Sequence, residues 1–364
     1  MNTLSPNNIL VRVPNWIGDV VMCLPALLDL GEYIHKAEIT ILARPTIAEL
    51  LREQAGIKEC LVYDYQGEHR GPGGLLRLSQ VLRKRAFDTA ILFQNAFEAA
   101  LLAWLSKIPT RIGYATDGRG WLLSQAVSLP SQSSSHHIGY YQELIQAITH
   151  VPSKKRIPKL AVSSLDQFAD QQSFAEMFSA SNTLWVGINP GSVYGSAKRW
   201  QPERFAEVGD RIVAQVQKEH PEFSSIRCVL IGGKGEEALG REIANRMCTR
   251  PVVLSGKTTI QELMSVLTRC AVLITNDTGP MHMAQALGVP VVAIFGSTDP
   301  EVTGPAGEDS RVIREPVRCS PCLLRACPID HRCMTSVSID QVVKTVLESM
   351  DRFLLGHQAR ESVG

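Results

Sequence analysis

The 364-residue sequence lacks the features that mark several large classes of protein. No window holds the roughly 18 unbroken apolar residues of a membrane span. The N-terminal stretch MNTLSPNN lacks the basic flank and apolar core of a signal peptide. Lysine and arginine number 37 against 36 aspartates and glutamates, so the formal net charge is only +1. This balance argues against nucleic-acid binding, which needs a basic surface. We therefore expect a cytoplasmic protein with no nucleic-acid partner.

Four motifs that carry common chemistries are also absent. There is no G-x-x-x-x-G-K-[ST] loop, which argues against a P-loop NTPase, and no G-x-S-x-G elbow of an α/β-hydrolase. No G-x-G-x-x-G follows the first apolar run, so dinucleotide binding is poorly supported. The sequence has no Asp-x-Asp pair, through which many sugar-nucleotide enzymes hold a divalent metal. We accordingly expect no required cofactor.

Short apolar runs alternate with amphipathic segments through both halves of the chain. This alternation predicts an α/β protein with two doubly wound, parallel-sheet domains and a cleft between them. We predict an N-terminal domain over 1–172, a C-terminal domain over 173–337, and a terminal helix and tail over 338–364 that packs back toward the N-terminal domain. The predicted strands are 9–13, 38–43, 59–63, 89–93 and 111–113 in the first half, and 185–189, 226–232, 251–254, 272–275 and 291–295 in the second. The main predicted helices are 24–36, 46–54, 74–85, 97–106 and 202–218.

The stretch RVPNWIGDVVMCLPALLDL, residues 12–30, places a carboxylate at a glycine turn between an apolar strand and an apolar helix. Ligands of parallel sheets bind beyond the carboxyl ends of the strands, where Asp19 lies. A helix N-terminus favours the charged form of an acid, and a charged carboxylate can take a proton from an attacking hydroxyl. The alternative is that Asp19 only caps the helix.

Two stretches of the second half have the composition of phosphate-binding loops. INPGSVYGSAKRW, residues 188–200, combines small residues, which let backbone amides approach an anion, with a lysine near the next helix. LITNDTGPMHM, residues 273–283, follows a strand with a turn and a proline suited to the first helical turn. Together they predict a nucleotide diphosphate site. The candidate residues are Ser192, Lys198, Asp277, Thr278, Gly279 and His282. Structural alternatives are a solvated Lys-Arg pair, a helix cap at Asp277 and a buried structural histidine.

These stretches resemble the lipopolysaccharide heptosyltransferases of glycosyltransferase family 9. RVPNWIGDVVMCLPAL, NPGS…AKRW, NDTGPMHMAQALGVPVVAIFGSTDP and CSPCLLRACPIDHRCM match that family in order and spacing, and the Pro-Asn-Trp-Ile-Gly-Asp opening resembles its type II members. The resemblance implies a GT-B fold and inverting transfer of L-glycero-D-manno-heptose from ADP-heptose to a lipid A that carries Kdo and one heptose. It also implies peripheral contact with the cytoplasmic face of the inner membrane.

Carried over by motif, the resemblance makes Asp19 the general base and assigns the candidates of the second half to the donor. Gly232 and Gly233 are expected at the adenosine pocket. Asn15 and Trp16 are expected beside the base. Two further cations are assigned to acceptor phosphates or carboxylates on charge and location alone: Arg111 and Arg119.

Four cysteines near the C-terminus have the spacing C-x2-C-x4-C-x5-C. They are Cys319, Cys322, Cys327 and Cys333. Four thiols at this spacing can bind zinc or an iron–sulfur cluster, although only one C-x-x-C pair is present where structural zinc sites usually have two. We expect reduced thiols in a loop over the nucleotide site, with a structural metal as the alternative.

Two other functions remain open at this point. One is the type I enzyme of the same family, which acts one sugar earlier on Kdo2-lipid A. The other is a sugar-nucleotide epimerase on the same two-domain scaffold, which would consume its donor without an acceptor.

Overall fold

A computed structural model describes residues 7–34, 37–130, 136–162, 178 and 182–361. The chain divides into two compact units, Met1–Ala161 and Val162–Gly364. The predicted boundary after residue 172 lies outside the described residues. Within the described residues, no helix combines the length and apolar character needed to cross a bilayer.

The first unit is built on a six-stranded parallel sheet with the strand order β3-β2-β1-β4-β5-β6. In the described part of this unit, five α-helices connect or flank the strands. The strands are β1 Asn8–Arg12, β2 Glu38–Ala43, β3 Glu59–Val62, β4 Thr89–Leu92, β5 Thr110–Tyr114 and β6 Gln125–Val127. The helices are α1 Ile17–Tyr33, α2 Pro45–Leu51, α3 Gly71–Lys84, α4 Phe97–Leu105 and α5 His137–Thr149.

The second unit repeats this plan, with the order β12-β11-β10-β7-β8-β9 and parallel pairing throughout. Its strands are β7 Thr183–Asn189, β8 Ser225–Leu230, β9 Val252–Val253, β10 Cys270–Asn276, β11 Val291–Phe295 and β12 Ser310–Arg314. Its helices are α6 Pro202–Glu219, α7 Glu237–Arg246, α8 Ile260–Leu267, α9 Gly279–Ala286, α10 Pro300–Thr303, α11 Arg332–Thr335 and α12 Ile339–Glu361.

Apolar periodicity explains how the helices cover the sheets. In α6 the predicted apolar face is buried in the core of the second unit, through Phe205, Val208, Ile212 and Val216. The central strands are buried on both faces, as the near-continuous apolar sequence of β10 requires. Helix α12 packs on α6 and on β10 and β11 of its own unit. Its predicted packing toward the N-terminal domain stays a prediction.

Two parts of the predicted element list are corrected by the structure. Helix α1 begins at Ile17 rather than at residue 24, and Pro25 lies inside it. Proline cannot donate a backbone hydrogen bond, so within helices it is usually found in the first turn. Here a run of buried side chains from Val20 to Leu27 carries the helix through it. The edge strands β6 and β12 were not predicted, because β6 has only three residues and the two adjacent apolar residues of β12 are flanked by arginines.

Both sheets have the same doubly wound order, in which the direction of winding reverses between two central strands. The reversal lies between β1 and β4 in the first unit and between β7 and β10 in the second. Ligands of such sheets bind at this switch point, beyond the carboxyl ends of the strands. The loops after these four strands are therefore where each unit should hold its functional groups.

Candidate active-site elements of the two units

Asp19 lies in the first turn of α1, directly after β1 and thus at the switch point of the first unit. Its side chain is 26% exposed, so the carboxylate is neither enclosed in the core nor fully in solvent. Tyr141 of α5 donates a hydrogen bond to Asp19 Oδ1 over 3.4 Å. His137, one turn earlier on α5, places Nδ1 at 3.4 Å from the same oxygen. Both contacts use Oδ1, and no hydrogen bond or ion pair to Oδ2 is found among the described residues.

The Tyr141 hydroxyl is held as a proton donor by its surroundings. Burial raises its pKa well above the usual value, and the negative charge of Asp19 raises it further. Its ring packs edge-on against Phe93 at 5.6 Å. The hydroxyl therefore stays protonated and donates to Asp19 throughout the physiological range.

Helix α5 is fixed to α1 at a second point, remote from Asp19. Asp29 of α1 accepts hydrogen bonds from Gln142 Nε2 at 2.7 Å and from Arg156 Nε at 3.0 Å. The Asp29 side chain is only 9% exposed, so this pair is shielded from solvent. The two helices are thus locked together, which fixes the position of Tyr141 relative to Asp19.

The other candidates of the first unit fall into two groups. Trp16 is the N-cap residue of α1 and is 52% exposed, and Asn15 Oδ1 accepts a hydrogen bond from Arg12 at 2.7 Å. Both lie in the loop that leads to Asp19. Arg111 and Arg119 lie outside this loop. Arg111 lies near the amino end of β5, where it donates to the carbonyls of residues 108, 109 and 122.

Arg119 is fully buried, and its guanidinium is engaged by the protein itself. It donates to the carbonyls of Tyr114 and Gln94 and to Asn95 Oδ1. Burial lowers its pKa to about 10. In this state Arg119 braces the ends of β4 and β5, and its assignment to acceptor anions stays a prediction.

In the second unit, the structure brings Lys198 and Asp277 together. Lys198 Nζ lies 2.5 Å from Asp277 Oδ2, and the two side chains are only 12% and 6% exposed. Thr298, from the loop after β11, donates to the same oxygen at 2.6 Å. Loops that follow β7, β10 and β11 therefore meet at one carboxylate. The carboxylate does not cap α9, whose N-cap position is Thr278.

Buried asparagines join these loops further. Asn189 donates to Thr275 Oγ1 at 3.0 Å and to Thr278 Oγ1 at 2.7 Å. Asn276 accepts from the Trp200 backbone at 3.1 Å and donates to the Pro190 carbonyl at 2.8 Å. Four hydrogen bonds that need no ligand thus tie the carboxyl ends of β7 and β10 to each other and to the loops that follow them.

Several polar groups around this cluster have no hydrogen-bond partner in the described part of the chain. They include the buried hydroxyls of Ser192 and Ser297 and the Oε1 atom of Glu236. Buried polar atoms are rarely left unpaired, so these groups are available to a ligand. The N-terminus of α9, at Gly279, adds the positive end of a helix dipole. His282 lies in the same helix and is buried.

Glu236 lies against the two predicted adenosine-pocket glycines. Its Oε2 accepts a hydrogen bond from the Gly233 backbone at 2.8 Å. A Cβ at Gly191 would overlap the Glu236 carboxylate, and one at Gly232 would lie 2.9 Å from Oε2. Glycine at 191 and 232 thus makes room for a carboxylate between the loops after β7 and β8.

The cysteine segment, residues 319–331, covers part of the loop after β7. Leu323 donates its backbone N–H to Ser297, and the carbonyl of Leu323 accepts from the Tyr194 hydroxyl at 2.7 Å. The Ala197 backbone donates to the Arg325 carbonyl at 3.0 Å. These contacts place the segment beside the residues that precede Lys198, and its position over a nucleotide site stays a prediction.

The four thiols are free. Cys319 and Cys322 are exposed, Cys327 is half-buried and Cys333 is buried. Burial raises the pKa of Cys333, and the other three cysteines add to the shift. Across the described ranges, no three His, Cys, Asp or Glu side chains are arranged to hold a metal ion.

Comparison with known proteins identifies the family of the chain. The profile of glycosyltransferase family 9 (heptosyltransferase) matches residues 75–332. Lipopolysaccharide heptosyltransferase 2 of Salmonella typhimurium is 27% identical over 316 residues, which cover 84% of this chain and 87% of the relative. The structure of Escherichia coli ADP-heptose LPS heptosyltransferase II superposes with a TM-score of 0.78 at 24% identity, covering 95% of this chain and 99% of the other. A family 9 glycosyltransferase from Veillonella parvula gives 0.82 at 22% identity, covering 97% and 100%.

These matches confirm the predicted fold class, GT-B with two Rossmann-like units, and the predicted resemblance. Three residues of the site were missed in the sequence: Tyr141, Glu236 and Thr298. A signal existed for Glu236, which follows the Ile-Gly-Gly turn after β8, and for Thr298 in the FGSTDP stretch. Tyr141 lies 122 residues from Asp19, and nothing local marks it.

Proposed function

Because the chain belongs to glycosyltransferase family 9, we propose that it transfers L-glycero-D-manno-heptose from ADP-heptose to heptosyl-Kdo2-lipid A in lipopolysaccharide inner-core biosynthesis. Relatives named heptosyltransferase 2 support this choice of acceptor over the type I acceptor. The structural observation that carries the proposal is the Asp19 carboxylate, partly exposed at a switch point with one oxygen held by Tyr141 and the other open.

The proposed reaction is a single displacement with inversion. Asp19 Oδ2 accepts the proton of the acceptor hydroxyl, whose oxygen forms a bond to the anomeric carbon of the heptose. The bond between that carbon and the ADP oxygen breaks, and ADP departs with the electron pair. Lys198 and the N-terminus of α9 stabilise the charge that develops on the diphosphate.

We propose that the donor is held without a divalent metal. The charge of Lys198, the hydroxyls of Ser192 and Thr278, and the α9 N-terminus supply the groups that a diphosphate requires. Transfer should then proceed at an unchanged rate in EDTA.

We also propose peripheral action at the cytoplasmic face of the inner membrane, because the proposed acceptor is lipid-anchored.

Glu236 is proposed to bind the ribose of ADP, since a carboxylate oxygen without a partner accepts hydrogen bonds from vicinal hydroxyls. We expect Glu236→Gln to raise the KM for ADP-heptose about tenfold with little change in kcat, because one charge-assisted hydrogen bond is weakened. Steady-state kinetics with varied donor would measure this. Glu237→Gln, one residue along, serves as control, because its carboxylate accepts from the Gly235 backbone instead. Equal donor KM values for Glu236→Gln and wild type would contradict the assignment.

Removal of the Tyr141 hydroxyl should slow transfer, because Asp19 then loses the hydrogen bond that orients it. We expect Tyr141→Phe to lower kcat about tenfold and to leave both KM values within twofold, since an oriented proton acceptor acts on the chemical step. Tyr114→Phe is the matched control, because its buried hydroxyl donates to the Tyr140 carbonyl and does not contact Asp19. A kcat for Tyr141→Phe equal to that of the control would remove Tyr141 from the site.

The function itself is tested by product masses. The protein is incubated with ADP-heptose and either Kdo2-lipid A or heptosyl-Kdo2-lipid A. Addition of one heptose to the second acceptor alone is the expected result. Addition to Kdo2-lipid A alone would indicate a type I enzyme. Consumption of ADP-heptose with no acceptor present would indicate epimerase or hydrolase chemistry and overturn the proposal.

A further inference from the structure

Two arginines lie at the carboxyl ends of adjacent strands in the first unit. Arg12 is the last residue of β1, and Arg44 follows directly after β2. Each guanidinium packs over a tyrosine that comes after β3: Arg12 over Tyr63 at 5.4 Å from the ring centre, and Arg44 over Tyr65 at 3.8 Å. Stacking on an aromatic ring fixes the plane of a guanidinium and leaves its edge free to donate.

The protein satisfies the donors of only one of these arginines. Arg12 is buried and donates to the carbonyls of Val13 and Leu42 and to Asn15. The Arg44 side chain makes no hydrogen bond or ion pair to any of the described residues, and its Nε is buried without a partner. The Arg44 guanidinium is therefore positioned by Tyr65 but left open for bonding.

The two guanidiniums lie close enough to repel each other. Burial lowers the pKa of Arg12 to about 10, with Glu98 opposing and Arg44 adding to the shift. Burial and the nearby Glu98 carboxylate raise the pKa of the Tyr63 hydroxyl. A bound anion would offset the repulsion between the two cations.

We propose that Arg44, braced on Tyr65 beside Arg12, binds a carboxylate or phosphate group of the acceptor. A guanidinium presents two parallel N–H donors that match either group. Arg12 links this site to the loop before Asp19 through its hydrogen bond to Asn15. An anion held here would anchor the acceptor near the segment that carries the base. This inference rests on the proposed function for the identity of the acceptor.

The kinetic test uses Arg44→Gln, which keeps a polar side chain and removes the charge. We expect the KM for heptosyl-Kdo2-lipid A to rise 10- to 100-fold, with kcat and the KM for ADP-heptose within about twofold. Arg44→Lys should recover only part of the loss, because a lysine cannot bind in two-pronged fashion. Arg52→Gln removes the same charge at the other end of α2, where the side chain is exposed, and should match wild type. An unchanged acceptor KM in Arg44→Gln overturns the proposal.

Two acceptor variants identify the anion. If Arg44→Gln and wild type have the same KM for an acceptor whose carboxyl groups have been reduced, the group that binds Arg44 is the carboxylate. If the two proteins have the same KM for an acceptor without lipid A phosphates, the group that binds Arg44 is a phosphate. If the difference in KM between the two proteins is as large with both modified acceptors as with the unmodified one, neither group binds Arg44 and the proposal fails.

A binding experiment keeps this inference separate from the proposed function. In the ¹⁵N-labelled full chain, the Arg44 Nε–Hε resonance, assigned by its absence in Arg44→Gln, is followed during titration with free Kdo and, separately, with inorganic phosphate. A saturable shift with either probe supports the site even if no heptose transfer is found. No shift with both probes overturns the anion site, whatever the outcome of the transfer assay.

Discussion

Asp19→Asn is expected to lower kcat by about 10²- to 10⁴-fold while ADP affinity stays within about twofold of wild type. Asparagine has nearly the shape of aspartate and can still accept the hydrogen bond from Tyr141. It cannot take the proton of an attacking hydroxyl, so only the chemical step should suffer. Single-turnover transfer and calorimetric titration with ADP would measure the two quantities.

The control for this substitution lies on the same helix. Asp29→Asn makes the same chemical change in α1, but Asp29 binds Gln142 and Arg156 and does not face the proposed acceptor. It should lower the melting temperature and reduce kcat by no more than the tenfold expected for Tyr141→Phe, because Asp29 acts on Asp19 only through the position of Tyr141. If Asp19→Asn transfers heptose at the wild-type rate, Asp19 is not the base, and its carboxylate would be left with only a structural role at the start of α1.

Lys198→Ala should reduce kcat/KM for ADP-heptose by about 10²- to 10³-fold. A hydrogen-bond donor directed at the charge that develops in the transition state contributes on this scale. The substitution also leaves Asp277 buried with Thr298 as its remaining partner. We therefore expect a lower melting temperature as well. Kinetics should be measured well below that temperature, with circular dichroism to confirm folding.

Two further variants separate the catalytic effect of Lys198 from its effect on stability. Asp277→Asn in the Lys198→Ala background removes the uncompensated charge and should restore part of the melting temperature, but not the rate. Lys218→Ala removes a charge from the exposed last turn of α6 and should behave as wild type. Full recovery of kcat/KM in the double variant would show that Lys198 serves only to neutralise Asp277.

Much of the fold could be predicted because its signals are local. The runs at Glu38–Ala43 and Val291–Phe295 are strands over the whole predicted range, since apolar β-branched residues bounded by polar turns favour a buried strand. Asp19 was placed in the turn between an apolar strand and an apolar helix, although that helix was predicted to begin only at residue 24. The pairing of Lys198 with Asp277 was anticipated only as proximity to a shared diphosphate.

What could not be predicted depends on the direction of side chains and on distant contacts. Arg119 and Arg44 are both arginines after strands of the same sheet, and the sequence gives no means to tell them apart. The structure shows Arg119 buried and hydrogen-bonded to two backbone carbonyls and to Asn95 Oδ1, and Arg44 stacked on a tyrosine with its Nε unpartnered among the described residues. The predicted start of α1 at residue 24 was wrong, because the helix begins at Ile17 and continues through Pro25.

The hydrogen bonds that join the loops after β7 and β10 have a thermodynamic consequence. Asn189 and Asn276 hold those loops in place before any nucleotide arrives. Little configurational entropy is then lost when ADP binds, because the receptor is already preorganised. Conversely, truncation of either asparagine would loosen both loops at once, and nucleotide affinity would fall although neither side chain need touch the ligand.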